Sequence, residues 1–236
     1  MAGVIAGVVF TLAPDLDLVV ARQFWLGDGS FAGAHSGPTQ FLRAMFKTIF
    51  IVACSVAVGG LLVEVFRRSR HWRMRAVHWL YLLLCLGVGP GLVTNTLLKD
   101  QWGRARPAQI VEFGGDKTFT PPLLPTNQCV RNCSFVSGEA ASMFAVFYAA
   151  ALIVPHGSLP TMIAGTIVGL AAGLVRMAQG GHFLSDVVFA GVLMALVASG
   201  LHRIVFRGAG AGASLRGLQG AALDHAAGSI FTWRQR

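Results

Sequence analysis

Long apolar runs without charge constrain this chain more than any other feature, and the clearest of them occupies residues 46–66. The chain has 236 residues, of which 54% are hydrophobic and only 12% are charged. A soluble domain would carry about twice that share of charge. Further apolar runs occupy residues 77–98, 139–154, 161–175 and 186–206. Because about 20 apolar residues span a bilayer as a helix, the pattern predicts a single all-α bundle in the membrane.

The N-terminal part of the chain fits this pattern less fully. Residues 1–13 are apolar but short, and Pro14 ends the run. This stretch predicts a short or tilted first segment, and brings the total to about six transmembrane segments. Residues 16–26 and 38–47 have mixed helical spacing, which predicts two amphipathic segments in the membrane interface. No basic region precedes the first apolar run, so a cleaved signal peptide is not expected.

The distribution of arginines predicts the orientation in the membrane. Residues 67–75 contain five arginines, and the C-terminal part holds further arginines up to Arg236. Both regions are expected to be cytoplasmic, where they would also attract anionic lipids. We therefore predict a membrane domain at 1–207 and a cytoplasmic tail at 208–236. The net charge of +9 does not form a basic stripe with aromatic residues between, so nucleic acid is not an expected partner.

The four cysteines divide into two kinds. Cys54 and Cys85 lie inside apolar runs and are expected to be buried, unreactive thiols. Cys129 and Cys133 share a polar loop, which has no nearby histidine to complete a metal site. On the outer side of the membrane, these two cysteines are expected to form a disulfide.

Three groups of polar residues fall at the outer ends of successive helices in this topology. The first contains Lys99 and Arg106, which are seven residues apart and can point the same way from a helix. In the second, Ser137 and Gly138 begin a helix, whose free N–H groups attract an anion.

The third group is the sequence from Arg176 to Asp186. Its arginine has a planar fork suited to phosphate. His182 and Asp186 are four residues apart, so a helix that began near the preceding glycines would place them on one face. Asp186 would then accept from one imidazole nitrogen and leave the other free to attack. Fixed cations, an anion-binding helix end and an oriented histidine together predict phosphoryl transfer through a phosphohistidine.

The order of these groups resembles the type 2 phosphatidic acid phosphatase superfamily, which includes membrane lipid phosphatases and vanadium haloperoxidases. The matching motifs are Lys99-x6-Arg106-Pro107, Ser137-Gly138 and Arg176-x5-His182-x3-Asp186. The resemblance implies a helical bundle that needs no metal or cofactor. It also implies that His182 is the nucleophile and that Asp186 orients it. Lys99, Arg106, Ser137, Gly138 and Arg176 would hold the phosphate oxygens.

The sequence departs from the family pattern at three positions. Val136 replaces a usual proline, and Val175 replaces a usual serine. Glu139 stands where the family has a histidine that protonates the leaving group. A carboxyl group could do this only while protonated, a form that desolvation favours and nearby cations oppose. We expect Glu139 to be the leaving-group acid; the alternative is that it only pairs with a cation, such as Arg176 or Lys99, and orders the site.

The expected function is hydrolysis of a membrane lipid phosphate at the periplasmic face of a bacterial inner membrane. Lipid A phosphate and polyprenyl diphosphate are the leading substrates, and a glycerophospholipid phosphate is the third. Two alternatives remain open. One is a phosphotransferase that uses a lipid diphosphate donor, and the other is a catalytically silent lipid-binding protein. The sequence does not determine the oligomeric state.

Overall fold

The computed structural model describes residues 2–67, 74–154 and 158–206. The described residues contain helices and short bridges, but no β-strand. The helices are α1 (Ala2–Leu12), α2 (Leu16–Arg22), α3 (Gly37–Arg67), α4 (Ala76–Gln101), α5 (Gly138–Ile153), α6 (Ser158–Ala178) and α7 (Leu184–Phe206). The predicted tail, 208–236, and most of the arginine-rich loop lie outside the described residues.

Four of these helices, α3, α4, α6 and α7, are long and apolar enough to cross a membrane. Helices α1 and α2 together pass the same test, but the chain bends by 83° between them. Helix α5 is apolar but has only 16 residues. The prediction of an all-α membrane bundle is confirmed, and about six membrane segments agrees with these helices.

Only one of the two predicted amphipathic segments forms a separate helix in the structure. The first, 16–26, forms the short helix α2. The second, 38–47, is not a separate element, because helix α3 runs without a break from Gly37 to Arg67. Its apolar side chains include Ile51 and Val56, which are more than half exposed, as expected for a helix that faces lipid.

Helix α4 is widened in its second half. Pro90 has no N–H to donate within the helix, and residues Gly87–Leu98 form a π-helix around it. Gly89 lies against helix α7, since a Cβ there would be 2.7 Å from the sulfur of Met194. This segment therefore combines a local change in helix geometry with close packing at Gly89.

Glycines on α6 bring the core helices together. Gly165 and Gly169 lie against Phe147 and Phe144 of α5, and Gly173 lies against Val187 of α7. Their spacing of four residues places all three on one face of α6. This face allows close backbone approach, as small residues do in membrane helix pairs.

The segment between α4 and α5, which includes the polar loop of Cys129 and Cys133, also contains buried apolar residues. Ile110 and Phe113 are fully buried, and they pack with Phe31 and Phe183. Trp102 stacks on Phe135 with their ring centroids 4.9 Å apart. The segment therefore forms a folded cap with its own apolar core over the ends of the helices.

Candidate active site

The predicted phosphate-binding cations come together under this cap. Lys99 is the first residue of the last turn of α4 and is 8% exposed, while Arg176 lies near the end of α6 and is 6% exposed. Arg106 lies in the cap, where its Nη2 donates to the carbonyl of Asn132 at 2.7 Å. All three are close enough to Glu139 to interact with its charge.

Two glycines make room for these cations. A Cβ on Gly138 would lie 2.9 Å from Nζ of Lys99, and a Cβ on Gly181 would lie 2.5 Å from Nη2 of Arg176. Any larger residue at either position would displace the cation beside it. At Gly181 the missing side chain leaves space for the guanidinium of Arg176.

Ser137 caps the N-terminus of α5, as the sequence predicted. Its backbone N–H donates to the carbonyl of Asp186 at 3.1 Å, which ties α5 to α7. Its Oγ is buried and has no hydrogen-bond partner among the described residues. A buried hydroxyl without a partner is costly, so this atom is available to a ligand.

His182 is 1% exposed and lies just before α7. Its Nδ1 lies 2.7 Å from the carbonyl oxygen of Ser134. Because a carbonyl only accepts hydrogen bonds, Nδ1 must carry the proton and Nε2 has a free lone pair. Nε2 has no hydrogen-bond partner in the described part of the chain.

Burial favours the neutral form of the His182 ring. Burial lowers the pKa of His182; Asp186 opposes this shift, and the positive charges of Lys99 and Arg176 add to it. The imidazole is therefore uncharged near neutral pH, which is the form needed for nucleophilic attack.

Asp186 is fully buried in the first turn of α7. Its Oδ2 accepts from the backbone N–H of Phe183 at 2.8 Å and from Oγ of Ser134 at 2.5 Å. The same oxygen is 3.6 Å from Nδ1 of His182. The pair is thus in contact as predicted, but the hydrogen bond that fixes the ring goes to a backbone carbonyl, because His182 precedes the helix.

Arg104 and Asp17, two buried charged residues beside Asp186, were not predicted from the sequence. Arg104 is fully buried, and its Nη1 donates to Oδ1 of Asp186 at 2.6 Å. Its Nη2 donates to Oδ2 of Asp17 at 2.8 Å, and Asp17 is also fully buried. One signal for Asp17 was available: an acidic residue within an apolar helical stretch is expensive unless it has a partner.

Glu139 forms ion pairs at the start of α5. Its Oε1 accepts from Nε of Arg43 at 3.0 Å and lies 3.5 Å from Nε of Arg176. Two guanidinium groups stabilise the carboxylate, which has no proton to donate. The geometry therefore favours the alternative reading, in which Glu139 orders the cations. Arg43, which the sequence reasoning did not single out, joins the site from α3.

The structure joins Cys129 to Cys133 in a disulfide, with their Cα atoms 5.7 Å apart. The backbone N–H of Cys133 donates to the carbonyl of Lys99 at 2.9 Å. The small disulfide loop thus lies against the end of α4, next to Arg106. Within the described residues, no group of three or more His, Cys, Asp or Glu side chains could hold a metal ion.

Taken together, these groups suit transfer of a phosphoryl group. The neutral imidazole has a free Nε2, and Lys99 and Arg176 are close enough for their positive charges to act on the ring. The unpartnered hydroxyl of Ser137 is a further group that could hold an anionic oxygen. A buried carboxylate below the ring stabilises the positive charge that develops on it during attack.

Comparisons with known proteins agree with this arrangement. The sequence profile of the PAP2 superfamily matches residues 78–209, which is more than half of the chain. A protein of Francisella tularensis subsp. novicida (strain U112), named lipid A 4'-phosphatase, is 36% identical over 208 residues, which cover 86% of this chain and 91% of that protein.

Two rhizobial proteins with the same name are also similar. The protein of Rhizobium etli is 34% identical over 208 residues, covering 80% of this chain and 78% of that protein. The protein of Rhizobium leguminosarum is 34% identical over 205 residues, covering 80% and 86%. No solved structure matches the chain significantly. On its profile match and its similarity to these relatives, the chain belongs to the PAP2 superfamily, in the branch of integral-membrane lipid phosphatases.

Proposed function

We propose that this protein removes a phosphate group from a phosphorylated glycolipid of the lipid A type, through a phosphohistidine intermediate, at the periplasmic face of the inner membrane. The observation that carries the proposal is the state of His182. It is buried and neutral, its Nδ1–H is held by the Ser134 carbonyl, and its Nε2 is free beside Lys99 and Arg176.

In the first step, Nε2 of His182 attacks phosphorus and the bond to the lipid oxygen breaks. In this proposal the departing lipid oxygen takes its proton from water, and the phosphoryl group remains on the histidine. Lys99, Arg106 and Arg176 would neutralise the charge on the phosphoryl oxygens, and Ser137 would donate its unpartnered hydroxyl. In the second step, water attacks phosphorus, the N–P bond breaks, and inorganic phosphate leaves.

Asp186 has a charge role in this mechanism. As Nε2 attacks, positive charge develops on the imidazole ring, and the carboxylate 3.6 Å from Nδ1 stabilises it. The ion pair with Arg104 stabilises this carboxylate, and hydrogen bonds from Ser134 and Phe183 fix it in place.

Glu139 acts as an ordering residue in this proposal. Its carboxylate holds Arg43 and Arg176 in the absence of substrate. When a phosphate binds, the same guanidinium groups can turn to its oxygens. The expectation that Glu139 protonates the leaving group is the competing proposal, and the two differ in their dependence on leaving group.

Two cavities support a lipid substrate with a polar head group. A cavity of about 260 Å³ has apolar walls from Phe46, Phe50 and Ile51 and reaches Lys99 and Glu139. It would take the first part of an acyl chain. The apolar walls would contact the lipid part of a membrane substrate, while Lys99 lies at the end that would bind its phosphate.

The second cavity, of about 360 Å³, is lined by three guanidinium groups, those of Arg43, Arg106 and Arg176. Gln40, Gln109 and Gln179 also line it. Nε2 of Gln179 is buried and has no partner among the described residues. Amide groups beside cations suit the hydroxyl and carbonyl groups of an acylated sugar. This cavity and the names of the relatives favour lipid A phosphate over polyprenyl diphosphate.

Purified protein and a panel of lipid phosphates would test the proposal. The panel contains lipid A bearing phosphate, a polyprenyl diphosphate and a phosphatidic acid, with released phosphate and product mass as readouts. We expect the fastest release from lipid A, and no release by the His182→Ala variant. Faster turnover of the polyprenyl diphosphate would contradict the substrate choice, and transfer of phosphate to a second lipid instead of water would indicate the phosphotransferase.

A further inference from the structure

A buried charge network lies behind the proposed nucleophile and extends into the N-terminal part of the chain. Arg104, Asp17 and Asp186 have no exposed side-chain surface. Arg104 donates from Nη2 to Asp17 at 2.8 Å and from Nη1 to Asp186 at 2.6 Å. The guanidinium is therefore shared between two carboxylates, one on α2 and one on α7.

Ser185 and the cap complete the network. Asp17 Oδ1 accepts from the backbone N–H of Ser185 at 2.8 Å, and its Oδ2 accepts from the Ser185 hydroxyl. The Nε of Arg104 donates to the carbonyl of Thr120 at 2.9 Å. The guanidinium also lies over the ring of Phe183, with its carbon 4.3 Å from the ring centroid. Every group is thus held in one geometry by more than one contact.

The net charge of the network affects the stability of a positive charge on the His182 ring. An isolated pair of Arg104 and Asp186 would be neutral and would leave little field at the imidazole ring. Asp17 accepts hydrogen bonds from the Arg104 guanidinium and from the backbone N–H and hydroxyl of Ser185, and these donors stabilise its carboxylate form. It therefore adds a second negative charge, so the three groups together carry one net negative charge. Because this charge is buried, water screens it poorly, and it acts on the nearby ring.

We infer that Asp17 is a positioning residue for the phosphoryl transfer, which acts through Arg104 to keep Asp186 effective as the counter-charge of His182. This inference rests on the proposed phosphohistidine mechanism. The bent N-terminal pair α1 and α2 is then part of the catalytic apparatus and not only a membrane anchor.

The position of Asp17 sets it apart from the family motifs. The PAP2 profile begins at residue 78, so the profile does not include Asp17. Arg104 lies inside the first motif, between Lys99 and Arg106, at a position where that motif specifies no residue type. Ion pairing at both ends of Arg104 connects the motif region to α2, although 87 residues separate Asp17 from Arg104 in sequence.

The charged groups that face His182 come from several elements. Asp186 of α7 is in direct contact with the ring. The positive charges of Lys99 in α4 and Arg176 in α6 also act on the ring. Glu139 from α5 also interacts with its charge. A test must therefore change the network behind the ring and leave these four residues unaltered.

Vanadate binding measured against pH is such a test, because vanadate forms a bond to a neutral histidine nitrogen and needs no lipid turnover. In Asp17→Asn, a negative charge is lost, so the imidazolium is less stable and the acid-side midpoint of vanadate binding moves to lower pH. In Arg104→Gln, a positive charge is lost and the midpoint moves to higher pH. Each shift is expected to be on the order of 1 pH unit for buried charges at this range.

Turnover gives the second readout. Asp17→Asn is expected to lower kcat for the lipid substrate by about 10–100-fold and to change KM much less, since the interaction is made mainly in the transition state. The double variant Asp17→Asn/Arg104→Gln loses one charge of each sign, and its midpoint is expected to return toward that of the parent. A residue that only supports the fold would give no opposite shifts and no such return.

Two control variants separate charge from structure. Asp15→Asn removes an exposed carboxylate next to α2 and is expected to leave binding and turnover unchanged. Ser185→Ala removes hydrogen bonds of the network without changing its charge, so it is expected to lower the unfolding temperature and keep the midpoint. If Asp17→Asn does not fold, the rise in midpoint for Arg104→Gln and its reversal in the double variant decide the question.

Equal midpoints in the parent, the folded Asp17→Asn protein and Arg104→Gln would overturn the inference. Failure of the proposed function would give a different experimental result. In that case the parent releases no phosphate from any lipid, while the midpoints measured with vanadate still report on Asp17.

Discussion

At the residue scale, the proposed chemistry depends on how one imidazole is held. A backbone carbonyl fixes the Nδ1 proton of His182, and burial keeps the ring neutral. Asp186 is left to act through its charge, with hydrogen bonds of its own to Ser134 and Phe183. This division of roles gives three predictions for single residues.

His182→Ala is expected to lower phosphate release by at least ~10³-fold, because the nucleophile is lost. The protein should still fold, which size-exclusion chromatography and thermal unfolding in detergent would check. Substantial release by a folded His182→Ala protein would exclude the phosphohistidine route.

The pH dependence of turnover should reflect the lowered pKa of His182. A free histidine titrates near ~6.5, so kcat/KM is expected to stay high below that pH and to fall only as pH passes the lower folded-state value. The unfolded chain binds a proton that the folded protein excludes, so stability from this group also falls as pH drops below ~6.5. A pH–rate profile with an acid midpoint well above 6.5 would contradict the neutral, buried ring.

Substitution of Glu139 by Gln distinguishes ordering from proton donation. If the carboxylate orders Arg43 and Arg176, the loss of rate should be similar for an alkyl phosphate, an aryl phosphate and a diphosphate. A general acid contributes ~10²–10⁴-fold and matters most for the poor alkyl leaving group. A loss of rate confined to the alkyl ester would instead support proton donation by Glu139 to the leaving group.

At the scale of elements, the site depends on two features. Small residues let the helices pack closely, and the cap covers the helix ends. The glycine face of α6 sets the distance to α5 and α7. The disulfide loop supplies the carbonyl of Asn132 to Arg106. Each of these elements can be changed without altering a residue proposed to contact phosphate.

Gly169→Ala should destabilise the bundle, because its Cβ would collide with the ring of Phe144. Overpacking of this kind costs about 1–3 kcal/mol. Gly200→Ala is the matched control on α7, since its Cβ would meet no atom within 4 Å and alanine favours helix. Thermal unfolding in the same detergent would compare the two, and equal unfolding temperatures would show that close packing at Gly169 is not required.

At the scale of the whole molecule, the site lies where the ends of α4 to α7 meet the cap, and its orientation remains a prediction from arginine density. Cys introduced at exposed Glu112 in the cap should react with a membrane-impermeant thiol reagent from the periplasmic side. Cys at position 70, in the arginine-rich loop, should react only after the membrane is opened. The reverse pattern would place the site on the cytoplasmic face.

The sequence by itself determined the membrane class, the order of the helices and most of the polar residues that gather in the site. This information is local: apolar length defines a span, and motif spacing places Lys99, Ser137 and His182 at helix ends. Only the tertiary structure decided how these residues are paired. Asp17 and Arg104 meet across 87 residues, Arg43 reaches Glu139 from another helix, and the partner of the His182 ring is a carbonyl. Such pairs depend on which helix ends are neighbours in space, because a buried charge must find a partner wherever the packing brings one close.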